Sequence, residues 1–346
     1  TRRRGWLDLS GAVSFRATAV SPLTLHLARA SALENAGLCL HHLYGFAYLP
    51  GTGLKGMARA YAETVWFPTQ FQADADGRPR DQAEKDNAGR AWRTIEAVFG
   101  WAPNSDAGKT WKPSGLGTRS KGDDAHAGQV VFHDAWPVSW PRLIEDILNS
   151  HHSKYYQDET GREPPGDWEH PVPVYFLAVA AGQTFEFALA KRHRDVSDEL
   201  VSLARQWLVG ALTNGGAGAK TNSGYGAFRL EPETDADRAA QAAAVRTWQA
   251  VTACGQASQY RRAEFAATLE LVTPAFLAGA EQHGDDAKDG CDLRPATLRG
   301  LLRWWWRTLH AGFLDVRTLQ RLEASLWGDT RSGGAVRILV EPVGTP

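Results

Sequence analysis

The sequence predicts an α+β fold made of two related modules, the second incomplete. Three observations predict it. A helix start is written twice, as Leu54-Lys55-Gly56-Met57-Ala58-Arg59 and, 244 residues later, as Leu298-Arg299-Gly300-Leu301-Leu302-Arg303. At the same offset the alternating stretch Leu23-Thr24-Leu25-His26-Leu27 meets Ala267-Thr268-Leu269-Glu270-Leu271. The apolar stripes also agree. Leu54, Met57, Ala58, Tyr61 and Val65 recur at the same steps as Leu298, Leu301, Leu302, Trp305 and Leu309, which places each set on one helix face. A strand, a loop and a helix opening with two cations one turn apart, found twice, is an internal repeat.

Each element follows in order. Residues 1–22 read as a polar lead-in with weak alternation at Val13, Phe15, Ala17 and Ala19. Leu23–Ala30 alternates and reads as the first strand. A loop over 34–50 holds His41-His42, and a helix follows at Leu54–Trp66. Residues 68–128 are rich in Gly, Asp, Arg, Lys and Pro around a short helix near 88–99, and read as an insertion, not core. A strand at 129–135 precedes a long aromatic loop, 137–173, with His151-His152, Tyr155-Tyr156 and Trp168. Val174–Ala180 and Thr184–Ala190 are β-like, and Ala181-Gly182 between them is a hairpin signal. Ser197, followed by Asp198 and Glu199, caps a helix, with Val196 and Val201 at the two positions of a hydrophobic staple. That helix stops at Asn214-Gly215-Gly216, and Tyr225–Leu230 closes the module as a strand.

Strand–helix–strand–strand–helix–strand is the ferredoxin-like order, used by RNA-recognition domains and also by many enzymes and metal carriers. Residues 1–231 therefore read as a first ferredoxin-like module with the insertion 68–128. Residues 232–262 read as a linker with a helix near 239–250. Residues 263–346 read as a partial second module: strand 265–272, helices 298–310 and 316–327, strand 335–341. Half a module leaves the stripe of Leu298, Leu301, Leu302, Trp305 and Leu309 short of cover and its sheet edges unpaired. Cover can come from the first module, from a neighbouring subunit or from further chain beyond the residues given, and the last is the expectation.

A length of 346 residues suits two or three domains, and an apolar content of 43% is enough for ordinary cores. The net charge of −1 gives no whole-chain argument for a polyanionic partner. Local counts differ: Arg294–Ala311 holds four arginines and no acid, and Val201–Leu230 holds Arg205, Lys220 and Arg229 and no acid. A neutral protein can carry a basic stripe. The three cysteines, Cys39, Cys254 and Cys291, have no metal-site spacing, and so sparse a set favours a reducing cytoplasm. No secretory signal and no apolar run long enough to span a membrane is visible.

The strongest local motif is Gly215-Gly216-Ala217-Gly218-Ala219-Lys220-Thr221-Asn222-Ser223-Gly224-Tyr225-Gly226. Its glycines allow sharp bends and close approach to a ligand, Lys220 supplies a cation, and Asn222 and Ser223 supply hydrogen bonds, which suits a sugar-phosphate backbone. It is not a P-loop, because it leads into a strand and lacks the required spacing. Its other use is a plain helix-to-strand connector. Lys55 with Arg59, and Arg299 with Arg303, lie off the apolar stripes at helix starts, where phosphate is attracted and a cation disfavours the helix itself. Arg294 and Arg307 belong to the same acid-free stretch. Of Trp304-Trp305-Trp306 only Trp305 lies on the stripe, leaving the others to stack on bases or pack against protein. His41-His42 and His151-His152 have no carboxylate or cysteine at metal spacing, so they read as surface or RNA contacts. No catalytic motif, metal set or cofactor fingerprint is present.

The residues also carry a resemblance to a known family. His41-His42-Leu43-Tyr44-Gly45-Phe46, Pro50-Gly51-Thr52-Gly53-Leu54-Lys55-Gly56, Asp134-Ala135-Trp136-Pro137, Asp146-Ile147-Leu148-Asn149, Tyr155-Tyr156 and Gly218–Gly226 resemble the sixth subunit of the Cmr effector complex of type III-B CRISPR systems. That likeness spans most of residues 20–230. Leu271-Val272-Thr273-Pro274-Ala275-Phe276-Leu277 and Leu293–Arg307 resemble the start of the first Cmr subunit. Both are RAMP-superfamily proteins. The resemblance implies a fusion of two neighbouring subunits at the head of the filament, near the crRNA 3′ end. It implies crRNA, target RNA and the complex's backbone and small subunits as partners, and RNA binding without catalysis. The candidate RNA-binding residues, read from the residues themselves, are Lys55, Arg59, His41, His42, Lys220, Asn222, Tyr225, Arg294, Arg299, Arg303 and Arg307. The rival is a metal-dependent ribonuclease using an acidic loop residue such as Asp74 or Asp76. The missing remainder of the first-subunit half is where the chain departs from the pattern.

Overall fold

The computed structural model describes residues 2–25, 37–74, 77–102, 125–253, 263–273, 293–329 and 332–341. It is a mixed fold of helices and antiparallel sheet. Helix α1 (Arg2–Leu9) leads into strand β1 (Val13–Ala19). Residues 1–22 thus contain a strand and not a polar lead-in. Phe15, Ala17 and Ala19 are buried on it, but two of the three are alanines, which carry little hydropathy. Of the strand expected at 23–30, Leu23 and Thr24 make single bridges to Val179 and Ala219, and 26–30 lie outside the described residues.

Helix α2 (Gly51–Tyr61) runs on into a π-helical turn, Ala62–Trp66. Helix α3 (Gln82–Phe99) is capped by Asp81, whose carboxylate accepts from the Glu84 amide at 3.0 Å. Its Ala88, Trp92, Ile95, Val98 and Phe99 belong to the main core, so this part of 68–128 is core and not only insertion. A small antiparallel pair, β2 (Gly100–Trp101) and β3 (His126–Ala127), follows it. Strands β4 (Val130–Phe132) and β5 (Trp136–Pro137) come next, then β6 (Leu143–Ser150), the short helix α4 (Ser153–Gln157), β7 (Val172–Val179) and β8 (Thr184–Lys191). The expected aromatic loop therefore contains a full strand and a helical turn. Helix α5 (Asp198–Gly210) is capped by Ser197, and a cap of this kind is worth about 1 kcal/mol. Val196 and Val201 are both buried, as a staple requires. Strand β9 (Phe228–Glu231) and helix α6 (Asp235–Ala253) complete this part.

The main sheet runs β4-β8-β1-β9, with every neighbour antiparallel, and β5 also pairs with β8. Its apolar face presents Phe15, Phe185, Phe187, Leu189, Phe228 and Leu230, all buried. Leu54, Ala58 and Tyr61 of α2 and Val201, Ala204 and Leu208 of α5 belong to the same core. Trp207 is fully buried between Trp66, at 4.9 Å, and Phe99, at 5.7 Å.

The hairpin expected across Ala181-Gly182 is not formed. β7 pairs along its length with β6, from Ser150↔Val172 to Leu143↔Val179, while β8 lies beside β1. Gly182, at φ 82°, hands the chain from one sheet to the other, its amide donating to the Ala19 carbonyl at 2.7 Å. One face of β8 carries Phe185, Phe187 and Leu189 into the core, and the other carries Thr184, Glu186, Ala188 and Ala190.

Beyond α6, residues 263–273 are exposed and form neither helix nor ladder among the described residues. Helix α7 (Pro295–His310) and helix α8 (Val316–Trp327), the latter capped by Asp315, follow. Residues 335–341 form no ladder among the described residues; the Ala335 and Val336 amides donate to the Leu326 carbonyl at 2.9 and 3.2 Å, and Ile338 donates to the Asn222 carbonyl at 3.3 Å. The strands expected at 265–272 and 335–341 therefore join no sheet among the described residues. On α7, Leu301, Leu302, Trp305 and Leu309 are 48 to 64% exposed, whereas Leu54, Ala58, Tyr61 and Val65 in the first copy are at most 5% exposed. The first copy has a sheet and α5 to cover it. The second has no such cover among the described residues.

Candidate nucleic-acid interface

The predicted RNA-binding residues fall in two places. Lys220, Asn222, Arg294, Arg299, Arg303 and Arg307 line one groove of about 2180 Å³. Its walls are the end of β6, the loop around α4 and the glycine-rich loop on one side, and α7 and α8 on the other. Tyr225 is buried behind that wall. Lys55, Arg59, His41 and His42 lie at and before the start of α2.

In the groove the four arginines are held by the chain itself. Glu323, 1% exposed, accepts from Arg303 at 2.8 Å, Arg307 at 2.9 Å, the Tyr155 hydroxyl at 2.9 Å and the Tyr156 hydroxyl at 3.1 Å. The Arg303 guanidinium also lies over the Tyr156 ring at 4.7 Å. Burial, reinforced by Glu323, pushes the Tyr155 hydroxyl far above the usual phenol range. Arg294 pairs with the buried Asp146 at 2.6 Å, and Asp146 also accepts from the Tyr225 hydroxyl at 2.5 Å. Burial, then Asp146, raise the Tyr225 pKa, so this hydroxyl is a fixed donor. Arg299 donates to the carbonyls of Asn222, Val336 and Trp327. Burial, then the neighbouring Arg303, lower its pKa. These arginines shape the wall more than they present charge.

The glycine-rich loop is spent in the same way. Asn222 donates to the Gly334 carbonyl at 2.7 Å. A Cβ on Gly224 would overlap Pro295, and one on Gly218 would overlap the Thr24 carbonyl. The close approach that glycine permits is here an approach to the chain itself. Lys220 sits in the left-handed region at φ 57°, its ammonium 5.6 Å from the Phe176 ring centre, and burial lowers its pKa.

The sequence reading missed several groove residues. Arg317 and Arg321, one turn apart on α8, line it and make no ion pair among the described residues. His152, read as a surface or RNA contact, is buried, left-handed at φ 58°, and paired with Glu169 at 2.9 Å. His151 beside it is exposed. Trp304 donates to Asp167 at 3.2 Å, and Trp306 stacks on His310. The spacing of Arg317 and Arg321 was readable. The histidine–glutamate pair, joined across a loop, was not.

At the start of α2, burial lowers the Lys55 pKa, and the nearby charges of Arg59 and Arg192 lower it further. Arg59 has Glu63 at 2.6 Å, while Lys55 and Arg192 have no ion-pair partner among the described residues. Three cations, Lys55, Arg59 and Arg192, outnumber two carboxylates here, Glu63 and Asp134, the latter accepting from the Gly51 amide at 2.7 Å. His41 is half-buried in a cluster of rings and His42 is exposed beside it. Asp74, the rival catalytic residue, accepts from the Arg78 amide in a tight turn, and Asp76 lies outside the described residues. No group of three metal-ligating side chains is found among the described residues. Nor is any described helix long and apolar enough to cross a membrane.

The RAMP superfamily pattern matches residues 16–229 and 268–346. The chain belongs to the RAMP superfamily. The two matched blocks fall on either side of α6, as the internal repeat does. Among curated relatives, the CRISPR system Cmr subunit Cmr6 of Pyrococcus furiosus is 31% identical over 206 residues, 53% of this chain and 58% of that protein. The CRISPR system Cmr subunit Cmr1-2 of the same organism is 29% identical over 75 residues, 21% of this chain and 37% of that protein. This RAMP chain thus spans little more than half of one curated relative and about a third of the other. Among solved structures, a cryo-EM structure of the type III-B Cmr-beta bound to cognate target RNA is similar at 17% identity, covering 67% of this chain and 65% of that chain, with a TM-score of 0.40.

Proposed function

We propose that this RAMP chain is a noncatalytic RNA-binding and assembly subunit of a type III-B CRISPR effector complex. One observation carries the proposal: a single chain is similar to Cmr6 and to Cmr1-2, two subunits of one system. On this reading the chain fuses a ferredoxin-like module, 1–231 with its insertion 68–128, through the linker 232–262 to a partial one, 263–346. The order β4-β8-β1-β9, antiparallel throughout and with α2 and α5 in the core on its apolar face, supports the first module. The subunit sits at the crRNA 3′ end in the cytoplasm, against crRNA, target RNA and the backbone and small subunits. Guide–target pairing supplies sequence specificity, and the protein reads backbone and shape. Lys55 with Arg59, Lys220, and Arg317 and Arg321, which make no ion pair among the described residues, meet phosphates. His41 and His42 flank the first of these sites. Arg294, Arg299, Arg303, Arg307, Asn222 and Tyr225 hold the groove that receives the strand.

Two measurements test this. RNA affinity of the full chain should fall with salt, with a log–log slope near −0.7 for each phosphate contact. Lys55→Ala and Lys220→Ala should each lower that slope by about 0.7 and weaken binding tenfold or less, equally for every sequence. A loss confined to one sequence would indicate base readout, and no loss would remove these sites. Labelled RNA should also stay intact with Mg²⁺ or Mn²⁺ present. Reproducible cleavage that Asp74→Asn abolishes would replace the binding role with the nuclease.

A further inference from the structure

The loop before α2 carries a surface that the phosphate sites do not use. His41 is the hub of a ring cluster, with Tyr44 at 4.9 Å, Trp136 at 5.1 Å, Phe46 at 5.2 Å and Tyr48 at 5.7 Å. Its Nδ1 accepts from the Leu43 and Tyr44 amides, so the hub also fixes the turn that carries Tyr44. Trp136 is fixed from beneath by the pairing of β5 with β8, and the Arg3 guanidinium covers it at 4.9 Å. Rings so well supported should lie inside the protein. Yet Tyr44 is 57% exposed, and Trp140, edge-on to Phe46 at 6.3 Å, is 72% exposed.

Beside the rings the acids are Glu186 and the exposed Asp134, and the excess of cations lies at the adjoining start of α2. The acids at this edge are committed: Glu186 pairs with Arg3, and Asp134 accepts from the Gly51 amide at 2.7 Å. That second bond ties the cluster to the first turn of α2, where Lys55, Arg59 and Arg192 gather. Gly53 and Gly56 on the same helix are exposed and have open space where a Cβ would stand. Rigid exposed rings beside a positive helix start combine the two elements by which proteins hold single strands, ring faces for bases and cations for phosphates.

We propose that the exposed faces of Tyr44 and Trp140 form a platform on which unpaired RNA bases stack, adjoining the cations at the start of α2. The platform rests on the RNA-binding reading above and adds to it a ligand class, the single strand. A duplex keeps its base faces inside its own stack and offers none to the protein. Every base has a π-face, so the platform is indifferent to sequence.

The test uses the full chain with a fluorescent homo-uridine oligonucleotide and with a duplex of equal length. Trp140→Ala and Tyr44→Ala should each weaken the single strand about tenfold. They should leave duplex binding and the salt slope unchanged. Trp140→Phe should restore most of the loss. Both side chains are exposed, so the melting temperatures should match the parent. Photocrosslinking with 5-iodouridine should place adducts on Tyr44 or Trp140. If both alanine variants bind the single strand as the parent does while Lys55→Ala weakens it, the platform is wrong and the phosphate site stands. If they keep RNA affinity but no longer co-purify with other subunits of the complex, the patch docks protein and the proposal is overturned. If the parent chain binds neither RNA, the functional reading fails, and the platform with it.

Discussion

Replacing Glu323 by Gln is expected to loosen α7 and α8 from the rest of the molecule. This carboxylate is 1% exposed and takes hydrogen bonds from two arginines on α7 and α8's opposite wall of tyrosines, Tyr155 and Tyr156. A glutamine keeps the shape and removes the charge, so Arg303 and Arg307 become buried or half-buried cations without a counter-ion. Breaking a buried ion pair by removing one partner costs about 3–5 kcal/mol, because the remaining charge has lost both water and partner. The cost should fall on one place. Hydrogen exchange over 295–327 should accelerate by orders of magnitude, while amides in β1 and β8 keep their protection. Equal protection in variant and parent would show that the apolar contacts of Leu319 and Trp327, not the charge network, hold these helices in place.

The same network shows what the sequence could and could not convey. α5 was readable because its signals are local: Ser197 before Asp198 and Glu199, the Val196–Val201 staple, and a glycine stop. β1 was not, because Ala17 and Ala19 are as buried as any core residue yet raise no hydrophobic signal. The turn at Gly182 has the chemistry of a hairpin, but whether two strands pair depends on what else competes for their edges. β6 takes one edge of β7 and β1 takes an edge of β8. At the candidate site, the cations were legible by residue type, and the groove does collect Lys220 with the arginines of α7. Their commitments were not legible. The carboxylate for Arg294 lies 148 residues away, and the tyrosine for Glu323 lies 168 away, distances at which no pattern in one chain carries a signal.

The glycine-rich loop gives the second large expectation. A loop rich in glycine reads from sequence as a surface that admits a ligand. The structure divides its glycines by what each one meets. Gly226 has φ 65°, and a Cβ there would run into the Ala217 carbonyl oxygen, while its amide donates to the Pro22 carbonyl at 2.8 Å. Gly218 has φ 85°, with the Thr24 carbonyl in the way. Gly215 has ordinary backbone angles and nothing within 4 Å. Gly226→Ala combines a strained left-handed backbone with an overlap that only backbone movement can relieve. Together these should cost about 3 kcal/mol or more. For a module of this size the melting temperature should drop by roughly 10 °C. RNA affinity should fall with it, because Lys220 is carried on the displaced segment. Gly218→Ala should behave alike. Gly215→Ala should lie between neutral and about 1 kcal/mol stabilising, since alanine restricts the unfolded chain without meeting anything in the folded one. Thermal melts of the three variants decide the matter. A Gly226→Ala melt equal to that of Gly215→Ala would mean that the loop is slack and that its glycines serve a ligand after all. A wide gap would mean that they close the loop onto the chain's own backbone and thereby set the position from which Lys220 acts.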